Sequence, residues 1–439
     1  MRLEATVALC SLALATAVVA AGAVPVTIAG GTAVTTSIKP GSAQRSSTSL
    51  AAVQDAAERG DRDAMFRLGR MYASGRGVAE DDARAADWYR KAADKGDSRA
   101  MVHLAAMHTA GEGVRRDEDD ARRWYQKAAE QGNTRAMTAL GARCATGVGT
   151  ARDDAAAVRW YTKAADAGDA QAMFLVGSMH ARGRGTERSQ HAAFTWYLKA
   201  ANAGNARAMT AVGAACATGS GTTANAIESV RWFARAAEAG DANGMANLGL
   251  AYLDGAGVPQ NTATAVHWFR VAGEFGDVRS MVMLGDMHAR GDDASLRSDD
   301  QAIRWYSRAS ELGHAGAMTS LGAMFADGKG TEPKPAEAVR LFLAAAKQGV
   351  PEAMLNLAGM HREGRGVARS DAEAYFWARN GAMAMTGARR EASLAFAERL
   401  GEKLDGESRT ALAARSDAWL ARARTDDGAD SIATGGAED

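Results

Sequence analysis

Apolar residues recur with helical spacing in a unit that repeats along most of the chain. In residues 61–96, Met65, Leu68, Met71 and Tyr72 have the i, i+3, i+4 spacing of one helical face. Two columns of large residues mark the period, which is 36 residues except for one step of 37. The first column is Trp88, Trp124, Trp160, Trp196, Trp232, Trp268, Trp305, Leu341 and Trp377. The second is Met65, Met101, Met137, Met173, Met209, Met245, Met281, Met318 and Met354. Both columns predict nine tandem units, and a period of this length is typical of a solenoid.

Polar residues and glycines mark the ends of two predicted helices in each unit. The first helix is expected to be capped by Asp61, Asp97, Asn133, Asp169, Asn205, Asp241 and Asp277. The second is expected to be capped by Asp81, Asp117, Asp153, Ser189, Asn225, Asn261, Ser298 and Ser370. Only Lys334 departs from this column, and the adjacent Pro335 suits a first helical turn. Glycine pairs such as Gly75 and Gly77 end the first helix and permit positive φ. The chain is therefore predicted to be helical from residue 51 to residue 424, with antiparallel helix pairs.

Two further columns predict contacts inside the unit. A small residue in the first helix lets a neighbouring backbone approach, at Gly69, Gly141, Gly177 and Gly213. Basic residues late in the second helix complement its macrodipole, at Lys91, Lys127, Lys163, Lys199, Arg235 and Arg308.

The repeated pattern AMxxLGxMYxxGxGVxxDxxxAxxWYxxAAxxG resembles the Sel-one-like repeat (SLR) family, relatives of the tetratricopeptide repeats, over residues 53 to about 381. The resemblance implies an all-α fold, a right-handed α/α superhelical solenoid of about nine 36-residue helix-turn-helix repeats. It also implies a scaffold or adaptor that binds a protein or peptide, with no catalytic residues. The chain departs from the pattern at Ala105 and Ala358, which replace the first-helix glycine, and at Ala378, which replaces an aromatic residue. In unit seven, Asp293 and one extra residue stand where the second turn glycine is expected.

The ends of the repeat array are predicted to carry helical caps, because terminal units otherwise expose a core face. Residues 51–59 resemble a lone second helix. After the last unit, helices are expected at 388–404 and 407–424, with Trp419 as an apolar anchor. The predicted map is a signal peptide or anchor at 1–23, a flexible linker at 24–50, the solenoid at 51–381, capping helices at 382–424 and a disordered acidic tail at 425–439.

The N-terminal residues indicate export. Residues 5–38 contain no charged side chain, and an apolar run follows Arg2. Ala21-Gly22-Ala23 fits a signal-peptidase site, which favours a cleaved signal peptide over an uncleaved anchor. Either reading places the repeats across a membrane from the cytosol, in the periplasm or outside the cell. Membrane contact is expected only through such an anchor.

Charge and candidate chemistry exclude several function classes. The chain has 52 basic and 52 acidic residues, which does not favour nucleic acid as a partner. One column alternates between residues that can bind metals and aromatic residues: Tyr72, His108, Cys144, His180, Cys216, Tyr252, His288, Phe325 and His361. Packed helices lie roughly 8 to 10 Å apart, too far for ligands of one zinc ion at about 2.0 to 2.3 Å. We therefore expect packing roles, no metal, no cofactor and no enzymatic activity. Cys144 and Cys216 are two units apart and are expected to stay free thiols.

Three hypotheses for function follow. The first is an extracytoplasmic protein–protein interaction scaffold or regulator. The second is a lumenal adaptor in eukaryotic membrane-associated protein degradation or cell-wall synthesis, although the chain has no N-x-Ser/Thr sequon. The third is a secreted β-lactamase-like hydrolase, as described for cysteine-rich members of the family. Those members carry paired cysteines in every unit, whereas this chain has only Cys10, Cys144 and Cys216.

The variable positions of the first helix predict where a partner binds, because this helix lines the concave surface in related solenoids. The column that contains Arg67 has the small residues Ala139 and Ala211 in units three and five, with Leu175 between them, and the next column is small in units three to five. A shallow apolar channel is expected there. The predicted partner-binding residues flank it and are Arg67, Arg70 and His103 on one side and Asn247, Asp286 and Asn356 on the other. The loop around Asp292 and Asp293 is expected to change the local curvature.

Overall fold

The computed structural model describes residues 50–433 apart from 292–295, with side chains as far as residue 421. Every regular element in this part of the chain is an α-helix. The predicted signal peptide and almost all of the linker lie outside the described residues. So do Asp292 and Asp293, on which the expected change of curvature rests, and the last residues of the acidic tail.

Two helices alternate through nine repeats. Helix A spans Arg62–Ser74, Ser98–Ala110, Thr134–Thr146, Ala170–Arg182, Ala206–Thr218, Ala242–Asp254, Val278–Arg290, Ala315–Asp327 and Pro351–Glu363. Helix B spans Asp82–Asp94, Glu118–Glu130, Asp154–Asp166, Gln190–Asn202, Ala226–Glu238, Thr262–Glu274, Asp299–Glu311, Pro335–Lys347 and Asp371–Met383. Leu50–Glu58 precedes the repeats, and Gly387–Gly401 and Gly406–Ala433 follow them. The predicted α/α solenoid of nine repeats is confirmed. The last helix extends beyond its predicted end at Arg424, into residues predicted to be disordered.

The predicted caps form the predicted hydrogen bonds. Asp61 accepts from the backbone N–H of Ala64 at 2.8 Å, and the helix B cap Asp81 accepts from that of Arg84 at 2.9 Å. The other members of both cap columns do the same in their repeats. Lys334 forms no side-chain cap, and Pro335 begins its helix. The sequence did not predict His314, whose Nδ1 accepts from the N–H of Ala317 at 3.1 Å.

The two glycines of the A–B turn have different roles. The first, such as Gly111, ends helix A in the left-handed conformation. The second also has positive φ, and in repeats two, four, five, six, eight and nine it touches the backbone of the preceding repeat. A Cβ atom on Gly113 would lie 2.1 Å from the carbonyl oxygen of Asp82, and one on Gly185 would lie 2.1 Å from that of Asp154. Successive repeats therefore meet backbone to backbone at this turn.

The small residue of helix A faces an aromatic ring of helix B. A Cβ atom on Gly69 would lie 2.7 Å from the Tyr89 ring. The same holds for Gly141 and Gly213, so the group that comes nearest to these glycines is a ring and not the predicted backbone. At Gly177 the backbone carbonyl oxygen of Ala193 is also among the nearest atoms, at 3.2 Å. The sequence could not show which group packs against this glycine, because the periodicity of the unit does not say which element covers the glycine.

The basic residues late in helix B cover the tryptophan column. Lys91 Nζ lies 4.0 Å from the centre of the Trp88 ring, one helical turn earlier, and Arg235 Cζ lies 4.2 Å from that of Trp232. The predicted cations at 127, 163, 199 and 308 occupy the same place over their own rings. Each cation therefore combines a cation–π contact with its favourable position at the helix C-terminus.

The last helix covers helix B of repeat nine. Arg379 pairs with Asp417 at 2.7 Å, and the hydroxyl of Ser416 donates to Oδ1 of the fully buried Asn380 at 2.6 Å. The ring of Trp419 meets that of Trp377 edge-on at 5.8 Å between centres. None of the helices in the described part of the chain is both long and apolar enough to cross a membrane.

Candidate functional site

At two junctions of the described repeats the A helices lie closer together than the B helices do. Helices A of repeats five and six approach each other closely, as do those of repeats eight and nine, whereas consecutive B helices of the described repeats approach each other less. Elements on the inside of a curved stack are closer together than those on the outside. The closer A helices at these junctions agree with the expectation that helix A lines the concave side, and Ala106, Ala142 and Ala214 in its variable columns are exposed. We call this surface the helix-A face.

The three predicted residues at the N-terminal end of the helix-A face differ in how free their side chains are to contact a partner. Arg67 Nε binds Asp63 at 2.7 Å, and Arg70 is exposed without an ion pair to described residues. His103 is half-buried, and its ring stacks on that of Tyr89 at 5.0 Å with an interplanar angle of 12°. Burial, and then the nearby charge of Arg70, lowers the pKa of His103. His103 is thus a neutral packing group between repeats one and two as well as a surface residue.

The other three predicted residues lie in repeats six, seven and nine. Asn247 and Asn356 are half-buried. Asp286 accepts a hydrogen bond from the hydroxyl of Tyr306 at 2.6 Å, and Tyr306 is only 3% exposed. Burial, followed by this carboxylate, raises the pKa of the phenol. Asp286 therefore also supports the core, and its removal is expected to lower stability as well as to change the surface. The six residues form two separate groups along the stack.

A pocket opens on the helix-A face between helix B of repeat four and helix A of repeat five. Its volume is about 340 Å³. Its lining is Gln190, Ala193, Phe194, Tyr197, Ala211, Ala214, Ala215, Thr218 and Ser220. Ala211 and Ala214 belong to the two columns that predict a channel in units three to five. At the junction of repeats two and three, by contrast, the buried side chain of Arg143 pairs with Glu118 at 2.6 Å.

The alternating histidine and cysteine column has structural contacts. His108 Nδ1 lies 3.3 Å from the carbonyl oxygen of Arg115, and His288 Nδ1 lies 2.7 Å from that of Leu296, so each ring joins helix A to the turn of its own repeat. Cys144 and Cys216 are free thiols, and burial raises the pKa of both. Within the described residues, no three His, Cys, Asp or Glu side chains are grouped as metal ligands.

Sequence reasoning missed two features of the helix-A face. The hydroxyl of Tyr306 in helix B reaches this face at Asp286, because the missing side chain of Gly285 leaves room for the ring. Arg143 is a buried cation in a column that is methionine at Met71, Met107 and Met179. In the sequence, the signal for this buried cation is a charged residue in a column that is otherwise apolar.

Comparison with known proteins explains the repeat. The Sel1 repeat matches residues 62–97, 98–133, 134–169, 170–205, 206–241, 242–277, 278–314, 315–350 and 351–384. The structure resembles that of c5321, a protective antigen of uropathogenic Escherichia coli with an SLR fold (25% identity, TM-score 0.50, 89% of this chain and 90% of that chain). It also resembles a Sel1 repeat protein from Oxalobacter formigenes (33% identity, TM-score 0.53, 62% of this chain and 80% of that chain). No curated protein matches the chain in sequence. Sel1 repeat proteins are generally protein-interaction scaffolds with a fold that is typically non-catalytic. With nine matches covering most of its length, the chain belongs to the Sel1 repeat family.

Proposed function

We propose that this protein is an extracytoplasmic scaffold or regulator whose helix-A face binds a segment of a partner protein. The observation that carries the proposal is the open pocket of about 340 Å³ on that face. Stacked helix pairs present extended concave surfaces, which are the surfaces that solenoid proteins use for binding. A helix or an extended peptide fits such a surface.

Export is supported by the N-terminal sequence. Residues 5–38 lack charged side chains and contain the apolar run expected of a signal peptide or anchor. The E. coli relative is described as a protective antigen, which suits a protein outside the cytoplasm. A reporter enzyme that is active only after export, fused behind residue 50, tests this part separately. Activity in the fusion and its loss on deleting residues 5–22 are expected.

The charges along the helix-A face indicate how a bound partner segment is oriented. Exposed Arg67 and Arg70 lie at the N-terminal end, and Asp286 lies in repeat seven. A bound segment is therefore expected to place acidic residues near repeats one and two.

Photo-crosslinking tests the proposed face. A benzophenone amino acid replaces Ala106, Ala142 or Ala214 on the helix-A face, and Arg90 or Gln126 on helix B serves as the matched control. All five positions are exposed. In the native envelope fraction, one partner is expected to crosslink to the helix-A positions and not to the helix B positions. The reverse pattern would show that the outer face binds the partner.

A triple variant then tests the predicted residues. Asn247→Ala, Asp286→Asn and Asn356→Ala together are expected to weaken capture of that partner. Asp286→Asn is chosen because its amide oxygen still accepts from Tyr306, so the midpoint of thermal unfolding should move little. Capture that survives these changes but is lost on replacing Arg90 and Gln126 would contradict the assignment.

A further inference from the structure

The junctions between repeats share one slot, which lies over the aromatic ring of helix B. Between repeats one and two it is filled. His103 stacks on Tyr89, and Met107, one turn later on the same helix, is buried. Three periods further along the chain, the equivalents of His103 and Met107 are Ala211 and Ala215. The pocket between repeats four and five is therefore the same slot with two large side chains reduced to methyl groups.

The aromatic rings beneath the slot are kept at the junction of repeats four and five, although the side chains that would fill the slot are small there. Tyr197 replaces Tyr89, and Phe174 replaces Phe66. The Phe174 and Tyr197 rings lie 5.4 Å apart at 36°, and the Phe66 and Tyr89 rings lie 5.9 Å apart at 44°. Phe194 adds a further ring to the lining. The stack of His103 on Tyr89 therefore shows what fits over Tyr197, a planar ring.

Two arginines lie near the pocket. Arg182 and Arg207 are exposed, and neither forms an ion pair with described residues. Arg182 is close enough that its charge lowers the pKa of Tyr197 against the larger, raising effect of burial. Arg207 lies one helical turn before Ala211. Two free guanidinium groups beside an aromatic slot favour a ligand that carries carboxylates next to its ring.

We propose that the pocket between repeats four and five is an anchor site for an aromatic side chain in an acidic segment of a partner. This proposal rests on the proposed function, which it makes more specific. The ring enters the slot between Ala211 and Ala215 and stacks on Tyr197, and acidic residues on either side of it bind Arg182 and Arg207.

Three capped tripeptides serve as probes of the purified full-length protein: acetyl-Asp-Trp-Asp-amide, acetyl-Asp-Leu-Asp-amide and acetyl-Lys-Trp-Lys-amide. Binding is measured by proton NMR titration. The Asp-Trp-Asp probe is expected to bind, and its indole resonances should move upfield because the rings stack. The leucine probe should bind at least about tenfold more weakly, and the lysine probe at least about threefold more weakly. Equal binding of the tryptophan and leucine probes, or no binding of either, would overturn the proposal.

A paired substitution closes the slot with residues that the chain itself uses. Ala211→His with Ala215→Met recreates the junction of repeats one and two, and it should reduce binding of the Asp-Trp-Asp probe about tenfold or more. The unfolding midpoint should stay the same or rise, which separates blocking from misfolding. Ala139→His in repeat three is the matched control, because Arg143 already fills that junction, and it should leave binding unchanged. Full binding by the closed variant would show that the probe sits elsewhere.

The two proposals fail separately. The probe titration needs neither export nor the native partner, so a negative result there leaves the crosslinking test intact. If the probes bind as expected but no partner crosslinks to the helix-A face, the pocket is an aromatic site and the proposed function is wrong.

Discussion

The second glycine of each A–B turn is the clearest place to test how the repeats are joined. Gly113 has a φ of 65°, and its added Cβ atom would lie 2.1 Å from the oxygen and 2.2 Å from the carbon of the Asp82 carbonyl in the preceding repeat. Gly77 occupies the same position in repeat one, with a φ of 80°. Its Cβ atom would meet only Met71 Cε, at 3.2 Å, which is the end of a flexible side chain. Gly77→Ala thus changes this turn where no neighbouring backbone is close, and Gly113→Ala changes it where one is.

The structure gives the expected magnitudes. Both substitutions put an alanine in the left-handed region, which costs roughly 1 to 2 kcal/mol. Gly113→Ala also needs the two repeats to separate by about 1 Å or more, because unbonded carbon and oxygen atoms lie at about 3.3 Å or beyond. Strain of this kind typically costs about 1 to 3 kcal/mol in a packed core. We therefore expect a loss of about 1 to 2 kcal/mol for Gly77→Ala and about 2 to 5 kcal/mol for Gly113→Ala.

Urea unfolding followed by far-ultraviolet circular dichroism measures both losses. Gly132→Ala is a third variant, because Gly132 has a φ of 81° and its Cβ atom would meet nothing within 4 Å. It should match Gly77→Ala. In a repeat array, stability is the sum of unit and interface contributions, so a weakened interface should also lower the slope of the transition for Gly113→Ala. Equal losses for all three variants would refute the claim that the preceding repeat presses on this turn.

Two further predictions concern buried groups. Hydrogen bonding to Arg143 is the first cause that lowers the pKa of Glu118 below its ordinary value of 4.5, so the pair stabilises the fold above that pH and ceases to do so as pH falls through the lower, folded value. The stability of the wild type relative to Arg143→Met should therefore decline as pH falls below 4.5, and a difference in unfolding midpoint that is independent of pH would contradict this. Cys144 and Cys216 should show no mutual disulfide in mass spectra of the unreduced protein, and alkylation should be slow because burial raises the pKa of both thiols. A crosslinked peptide pair would refute the expected separation.

The helices and their ends could be predicted from the sequence because their causes are local. A cap such as Asp61 bonds to an N–H three residues later, and the apolar face of helix A repeats within one turn. The family resemblance then supplied the solenoid. What lies between repeats was harder. Nothing in the sequence indicates that Gly113 faces the Asp82 carbonyl or that Gly69 faces a ring, because those contacts depend on how the helices are placed on one another.

The same limit explains the outcome at the predicted binding residues. Column variability selects surface positions, and it placed Arg67 and Arg70 correctly at exposed sites. It could not distinguish a free side chain from one that packs against a ring of helix B. His103 stacks on Tyr89, and Asp286 binds the hydroxyl of Tyr306, and in each case the partner lies in helix B of the same or the preceding repeat.

Repeat five also shows how a regular fold can mark a site without a motif. Burial of a methionine-sized side chain normally stabilises a protein by about 2 to 5 kcal/mol relative to alanine. The slot position is methionine at Met107 and Met179 and arginine at Arg143, and the chain therefore fills this place in three successive repeats. Repeat five is the one of the nine in which both this position and the neighbouring column are alanine, at Ala215 and Ala211. The folding of the array gains nothing from that opening, and the ring platform beneath it is kept. A binding site for an external ring needs an open space above an aromatic surface. This junction provides that space at the cost of the packing contacts that larger side chains would make.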